Sequence, residues 1–160
     1  MPPVANTSSS AQRILRRLDH AWTTFTESYA GLSEAELTEP RTIGEWSVKD
    51  VIGHVTTWEE EALQYLPLIA EGGRPARYTR YGGIDAFNAL TVGRKRALSV
   101  VDVLRARDET HHRLVALVQH ASPALLEGPT RFRHRLRLDT YAHYPHHTGP
   151  IREWRAQRGL

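Results

Sequence analysis

The 160-residue chain contains no cysteine. Disulfides, thiolate ligands and a cysteine nucleophile are therefore excluded, and any metal site must be built from histidine, aspartate or glutamate. No apolar run approaches the length that spans a membrane, so we expect no membrane partner. The start of the chain lacks the basic flank and the apolar run of a secretory signal, which favours a cytoplasmic protein.

The excess of positive charge is also small. Lysine and arginine number 21 against 18 aspartates and glutamates, which gives a formal charge of +3 spread along the chain. Residues 130–138 are locally basic, but their arginines alternate with apolar side chains, as in an extended loop or a partner surface. No recognised nucleic-acid-binding motif accompanies this charge, so we predict no nucleic-acid partner.

Hydrophobic periodicity predicts helices through most of the chain. Apolar side chains recur at spacings of three and four residues in four long segments. These segments cover residues 14–29, 48–69, 101–118 and 141–154. Ser47 with Asp50, and Ser99 with Asp102, have the spacing of capping boxes, so the second and third helices should begin there. Asp139 is a suitable N-cap for the last helix.

Four amphipathic helices around one core indicate an all-α four-helix bundle. We expect residues 1–10 to be a flexible segment and residues 11–160 to form a single bundle domain. Residues 74–98 are interrupted by proline and glycine, which suits a long crossover between helices two and three. Asn88 would line a pocket if this crossover covers part of the bundle, although a simple surface connection fits the pattern equally well.

Histidine is abundant, and two of the nine histidines have the spacing of a helical metal site. His143 and His147 are four residues apart, which places their side chains one above the other on a helix. His54, in the second predicted helix, could supply a third imidazole, and three imidazoles can hold a divalent cation while leaving one coordination position open. Random placement of nine histidines also produces such a pair easily. The same rings could instead be partly buried groups bonded to carbonyls or tyrosines.

Other chemically useful side chains lie near these histidines in the predicted helices. Trp58 and Glu61 follow His54 on one stripe of the second helix. Glu61 is the candidate for proton transfer, although a solvated helix carboxylate is the more ordinary interpretation. Trp58 and Tyr144 are candidates for the wall of a pocket, and either could belong to the core instead.

Two segments resemble the signature of a known superfamily. Residues 46–54 read Trp-Ser-Val-Lys-Asp-Val-Ile-Gly-His, which resembles the second-helix pattern Trp-Ser/Thr-x-Lys-Asp-x-x-x-His of the DinB/YfiT-like superfamily. Residues 139–154 resemble the last helix of that superfamily, which supplies a His-x-x-x-His pair. The features that look most like its ClbS/DfsB branch are the Asn88 region, the Ser99-x-x-Asp102 helix start and the ending at Trp154. The resemblance covers residues 11–158, nearly the whole chain.

The resemblance implies a bundle with a long connection between helices two and three. It also implies a divalent metal, often nickel or zinc, held by residues matching His54, His143 and His147. Related proteins include thiol-dependent transferases or isomerases and a resistance protein that opens an electrophilic cyclopropane.

The resemblance thus implies a metal-dependent enzyme that acts on an electrophilic small-molecule substrate. The reaction would be hydrolytic ring opening or transfer of a low-molecular-weight thiol cosubstrate, and the role would be detoxification or self-resistance. The alternatives are a metal-free protein that binds or sequesters a small molecule, and a structural homodimer without catalysis.

One residue departs from the family pattern. Pro145 lies between His143 and His147, and a proline inside a helix removes a backbone hydrogen bond at a cost of about 3 kcal/mol or more. Either the last helix begins near Tyr144, with Pro145 in its first turn, or the helix kinks through the site. In the first case we expect His143 to be displaced, which weakens the prediction of a chelate; in the second a kink or π-bulge is tolerated and the metal site is retained.

Overall fold

The computed structural model describes residues 8–160, which form eight α-helices and one short 3₁₀ helix but no β-strand. The helices are α1 (Ser10–Ser28), α2 (Glu34–Thr38), α3 (Val48–Ala70), α4 (Ile84–Lys95), α5 (Val100–Gln119), α6 (Pro123–Leu126), α7 (Arg131–Asp139) and α8 (Tyr144–Arg158), and the 3₁₀ helix is Tyr78–Tyr81. The long helices α1, α3, α5 and α8 confirm the all-α four-helix bundle. Most of the predicted flexible segment, residues 1–7, lies outside the described residues. No helix within residues 8–160 has the length and hydrophobicity needed to cross a membrane.

Side-chain caps determine where the central helices begin. Ser47 Oγ accepts a hydrogen bond from the Asp50 backbone N–H, and the Asp50 carboxylate accepts one from the Ser47 N–H, so the predicted capping box begins α3. At α5 only half of the predicted box forms. Ser99 Oγ accepts a hydrogen bond from the Asp102 N–H, whereas the Asp102 carboxylate accepts one from the Ser99 hydroxyl instead of the backbone.

Helix α3 takes part in both apolar clusters of the core. One cluster joins α3 to α1, α5 and α8 and includes Phe25 and Tyr144. The other joins α3 to α5, α6 and α7 and includes Leu66 and Leu136. Because α3 is packed on several sides, its middle turns are held firmly against the neighbouring helices.

The predicted crossover between α3 and α5 forms a packed layer on α3. It contains the 3₁₀ helix and α4, and α4 packs against α3. Lys95 Nζ lies 2.9 Å from the Glu60 carboxylate, and Lys49 Nζ donates to the Arg96 and Leu98 carbonyls at 2.9 and 2.7 Å. These contacts connect the end of α4 to α3, so the crossover is more than a surface connection.

The chain after residue 129 differs from the expectation. Residues 130–138, expected to be extended, lie almost entirely in helix α7, and Thr130 Oγ caps this helix by accepting from the Arg133 N–H at 3.1 Å. Phe132 and Leu136 are buried four residues apart on one face of α7. The alternation of arginine with apolar residues therefore conceals a helical spacing.

Asp139 ends α7 and does not cap the last helix, which corrects a second expectation. Residues 140–143 form a short corner, and α8 begins at Tyr144. Asp139 is buried at the end of α7, where Arg135 donates to its carboxylate one turn earlier. The N-cap of α8 is His143, four residues after Asp139, and the Asp139 carboxylate pairs with Arg135 inside α7.

Candidate metal centre

Three imidazoles from two parts of the chain meet beside α3. His54 lies in α3, His143 in the corner before α8, and His147 in the first turns of α8. His143 Nε2 lies 3.1 Å from His54 Nε2 and 2.9 Å from His147 Nε2. One ligand atom from each residue lies within 4.8 Å of the other two. The structure thus brings the three histidines together, and they are called the histidine cluster below.

The proline does not prevent this convergence. Helix α8 begins at Tyr144, so Pro145 lies in the first turn, where its missing N–H would have no intrahelical partner. The expectation that His143 would then be displaced is wrong. His143 has helical dihedrals, φ −87° and ψ −48°, and its N–H donates to the Thr140 carbonyl at 2.7 Å. Because its backbone is helical, His143 keeps the i,i+4 relation to His147.

The close contacts within the histidine cluster are not explained by hydrogen bonds alone. A neutral imidazole nitrogen is either one N–H donor or one lone-pair acceptor, so His143 Nε2 can make only one good hydrogen bond to its two neighbours. Burial lowers the pKa of His54 to about 2, that of His143 to about 3 and that of His147 to about 4, and neighbouring imidazoles act in the same direction. At neutral pH the rings are uncharged, the state in which imidazole binds a metal.

The spacing of the nitrogens fits a metal site. Two nitrogens held at about 2.0–2.1 Å from a tetrahedral cation lie about 3.3 Å apart. The observed separations of 3.1 and 2.9 Å are slightly shorter than this. The Nδ1 atoms of His54 and His143 are buried without a hydrogen-bond partner in residues 8–160, whereas metal sites usually supply one there. The donor set therefore fits a divalent cation, while two of its ligands lack the usual supporting acceptor.

A cavity of about 350 Å³ opens beside His54 and His143. Trp58 and Asn88, both predicted pocket residues, line it, and Trp58 Nε1 donates to Asn88 Oδ1 at 3.0 Å. Its other lining side chains are Tyr78, Ile84, Arg135, Leu138 and Asp139. This small cavity offers a substrate an approach to two of the three imidazoles.

The remaining predicted site residues lie away from the small cavity. Glu61 is seven residues from His54 on α3, about 10 Å along the helix axis, and accepts a hydrogen bond from the Tyr78 hydroxyl at 2.7 Å. Tyr144 is fully buried, and its hydroxyl donates to Glu59 in the core. Neither Glu61 nor Tyr144 lines the small cavity: Glu61 lies behind Tyr78, which does line it, and Tyr144 points into the core.

Arg135 and Asp139 line the small cavity but were not predicted. Arg135 Nε donates to the Asp139 carboxylate, and Arg135 Nη2 donates to the Tyr78 hydroxyl at 2.7 Å. Burial raises the pKa of Asp139 to about 7, although Arg135 acts in the opposite direction. The interpretation of residues 130–138 as extended hid both residues. Their i,i+4 spacing was the available signal.

A second polar cluster lies on α3 close to the first, deeper in the core. Glu59 Oε1 accepts from the Tyr144 hydroxyl and lies 2.8 Å from His111 Nδ1, and the His111 ring stacks on Trp22 with centroids 3.7 Å apart. Burial raises the pKa of Glu59, although hydrogen bonds from His111 and Tyr144 act in the opposite direction. These four residues are called the Glu59 cluster. No sequence signal pointed to this cluster, because three consecutive glutamates in a helix are typical of a solvated face.

Two solved structures have this fold. One is an uncharacterised protein from Escherichia coli UTI89, which is 14% identical with a TM-score of 0.79 over 95% of this chain and 95% of that chain. The other is the colibactin self-resistance protein ClbS in complex with double-stranded DNA, which is 17% identical with a TM-score of 0.76 over 93% of this chain and 97% of that chain. The likeness to ClbS agrees with the branch that the sequence resembles.

The prediction that nucleic acid is excluded as a partner is wrong. ClbS shares the fold and was solved with double-stranded DNA, so the absence of a recognised docking motif excludes nothing for such a bundle. Duplex binding depends largely on phosphate contacts made by charges on the folded surface. A small net charge spread along the sequence does not show where those charges meet after folding.

The family comparison covers most of the chain. Residues 17–149 match the model of the DinB superfamily, whereas no curated protein matches the chain. The match includes the middle of α3, with His54, and the corner that carries His143 and His147. The chain therefore belongs to the DinB superfamily.

Proposed function

We propose that the histidine cluster binds one divalent metal ion, nickel or zinc, and that the protein is a metal-dependent enzyme acting on an electrophilic small molecule. The observation that carries this proposal is the convergence of three uncharged Nε2 atoms beside a cavity. A bound divalent cation would supply Lewis acidity and would lower the pKa of a water or thiol reacting in that cavity.

The residues of the small cavity have distinct parts in this proposal. Trp58 provides an aromatic wall, and because Asn88 Oδ1 accepts from Trp58, the Asn88 amide N–H groups remain to donate to a substrate. Asp139 is the carboxyl group that lines the cavity, and its pKa, raised by burial to about 7, suits proton transfer near neutral pH. We therefore assign proton transfer to Asp139 in preference to Glu61, which lies outside the cavity.

The size of the cavity favours a small molecule. A volume of about 350 Å³ is within the usual range for ligand pockets. Two reactions fit the site: hydrolytic opening of a strained electrophile, and transfer of a low-molecular-weight thiol to one. ClbS is a self-resistance protein, and we propose a comparable protective role against a reactive compound for this chain.

Metal analysis of protein purified without chelators tests the proposal. The wild type should carry close to one nickel or zinc ion per chain, and His54→Ala and His147→Ala should each weaken binding by about 100-fold because a ligand is removed. His112→Ala is the matched control, because His112 is exposed on α5, and it should keep the metal. Circular dichroism should show the same helical content in all four proteins.

A wild type that stays metal-free after incubation with either ion would contradict the proposal. Binding of a small molecule that is lost in Trp58→Ala but kept in His54→Ala would then favour the metal-free binding protein. With metal bound, ion-dependent hydrolysis of a simple epoxide, or its ion-dependent reaction with a thiol, would separate an enzyme from a binding protein.

A further inference from the structure

We propose, building on the function above, that the substrate carries an oxyanion, a carboxylate or a phosphate, which the arginines of α7 bind in a second cavity that shares Arg135 with the small cavity. This second cavity, called the basic cavity, has a volume of about 740 Å³. The electrophilic part of the same molecule would occupy the small cavity beside His54 and His143.

The basic cavity combines positive charge with an apolar surface. Its lining includes the four arginines of α7, which are Arg131, Arg133, Arg135 and Arg137. Ile69 and Pro75 contribute apolar surface, and no aspartate or glutamate belongs to the lining. Charges of one sign in a concave, partly apolar site strengthen the local field and concentrate ligands of the opposite charge.

Two of these arginines are held at the rim by contacts with the backbone. Arg131 Nη2 donates to the Gly73 carbonyl at 2.7 Å, and Arg133 Nη1 donates to the Gly128 carbonyl at 3.3 Å. A guanidinium has five N–H donors, so each side chain keeps donors for a ligand after this contact. The rim is therefore partly ordered before an anion arrives, which reduces the entropy lost on binding.

Arg135 belongs to the lining of both cavities. Its Nε donates to the Asp139 carboxylate and its Nη2 donates to the Tyr78 hydroxyl. Its guanidinium carbon lies 5.2 Å from the centre of the Tyr65 ring. Across residues 8–160, no acceptor pairs with Nη1. A fixed guanidinium with a free nitrogen can bind one oxygen of a carboxylate or a phosphate.

The charges on either side of Arg135 determine where the anion lies. In the small cavity Asp139 already occupies the Nε side of Arg135, whereas three further arginines and no acidic residue line the basic cavity. The oxyanion should therefore lie on the basic side of Arg135, and an apolar linker should extend past Arg135 to the histidine cluster. A recessed guanidinium, with 15% of its side chain exposed, suits a small anion better than the convex backbone of a duplex.

Equilibrium binding to metal-free protein tests the proposal without depending on metal chemistry. The probes are 4-phenylbutanoate, its uncharged analogue 4-phenylbutanamide, and phenyl phosphate. At least one of the two anions should bind about tenfold more tightly than the amide, because only an anion forms a charge-assisted hydrogen bond with guanidinium. NMR signals of the His54 and His143 rings should shift when that anion binds.

Two double variants with equal loss of charge locate the anion. Arg133→Gln/Arg137→Gln leaves the Arg135 contacts intact and should weaken the binding of the anion by about fivefold or more. Arg105→Gln/Arg113→Gln removes two exposed charges from α5, which lines neither cavity, and should change affinity by less than about twofold. Arg135→Lys keeps the positive charge but loses the planar, forked guanidinium group, and it should also weaken the binding of the anion.

Equal affinity for the anions and the amide, or equal losses in the two double variants, would overturn the proposal. Unchanged His54 and His143 signals in the bound state would do the same. A short DNA duplex that binds more tightly than either anion, and loses its affinity in Arg133→Gln/Arg137→Gln, would replace the small anion with nucleic acid. If the anion binds as expected but the protein never takes up metal, only the metal-dependent function fails.

Discussion

Helix α3 carries two buried polar clusters that differ in their surroundings. His54 belongs to a group of like side chains beside a cavity, where the close nitrogens cannot all satisfy one another. Five residues later, Glu59 is enclosed by the core: its Oε1 accepts from Tyr144 and contacts the His111 ring, while its Oε2 has no partner within residues 8–160. The acid and the base of the Glu59 cluster can satisfy each other in part, whereas three like imidazoles at an opening cannot, and a shared cation is what we propose for them.

The largest expected difference between the clusters is their response to acid. The pKa of each ring in the histidine cluster lies below the ordinary value near 6.5, so below that pH the unfolded chain binds protons that the folded chain does not. At pH 5 the metal-free protein should lose up to about 2 kcal/mol per ring. Burial raises the pKa of Glu59, so its contribution has the opposite sign and is lost as pH rises through the folded value.

Urea unfolding of metal-free protein between about pH 8 and pH 5 measures this difference. His54→Ala/His147→Ala removes two of the three rings and should show a flatter decline below pH 6.5 than the wild type. Asp139, whose pKa burial raises to about 7, acts with the opposite sign over the same range in both proteins. A double variant that declines as steeply as the wild type would therefore contradict the neutral, buried rings.

The next effect separates stability from metal binding. Glu59→Ala leaves the Tyr144 hydroxyl and the His111 ring without their buried acceptor, and should reduce the free energy of unfolding by about 3 kcal/mol. Its metal content should stay at the wild-type value, the reverse of the pattern expected for His54→Ala. Urea unfolding at pH 7 and metal analysis measure both quantities.

Glu60→Ala is the neighbouring control for this experiment. Glu60 is exposed and pairs with Lys95, so its loss should change stability by less than about 1 kcal/mol. A folded Glu59→Ala protein that loses its metal as completely as His54→Ala would show that the two clusters act as one unit.

The smallest effect concerns the wall of the small cavity. Asn88→Ala removes the hydrogen bond from Trp58 Nε1 and should cost about 1 kcal/mol of stability without changing metal content. A double-mutant cycle with Trp58→Phe should give a coupling energy of the same size, because each variant removes the same bond. Strictly additive losses would mean that the bond contributes nothing to holding the wall.

The bundle was predictable because its signals are local. Periodic apolar residues and the capping box of Ser47 and Asp50 act within a few residues of where they occur, and the structure has α3 where they place it. The prediction of an extended segment at residues 130–138 was wrong because the spacing of Phe132 and Leu136 fits both a two-residue and a four-residue repeat. Asp139 was assigned to the wrong helix end because α7 runs through it and α8 begins five residues later, at Tyr144, and a capping preference alone does not locate that boundary.

The candidate site was only partly predictable. The spacing of His143 and His147 can be read from the chain, whereas the position of His54 beside them depends on how α3 and α8 pack, and the family resemblance supplied that information. Glu59 could not be found, because its burial follows from tertiary contacts with His111 and Tyr144 that no sequence interval encodes.

The corner before α8 has a consequence for how an ion would enter and leave. His143 is already in a helical conformation, and Pro145 restricts the direction of the turn that carries His147, so capture of an ion requires no reorganisation of this chain segment. A metal ion would then enter and leave the site through the opening of the small cavity next to Trp58. A bulky molecule lodged there would trap the ion kinetically, so exchange with free metal in solution should slow while the site is occupied.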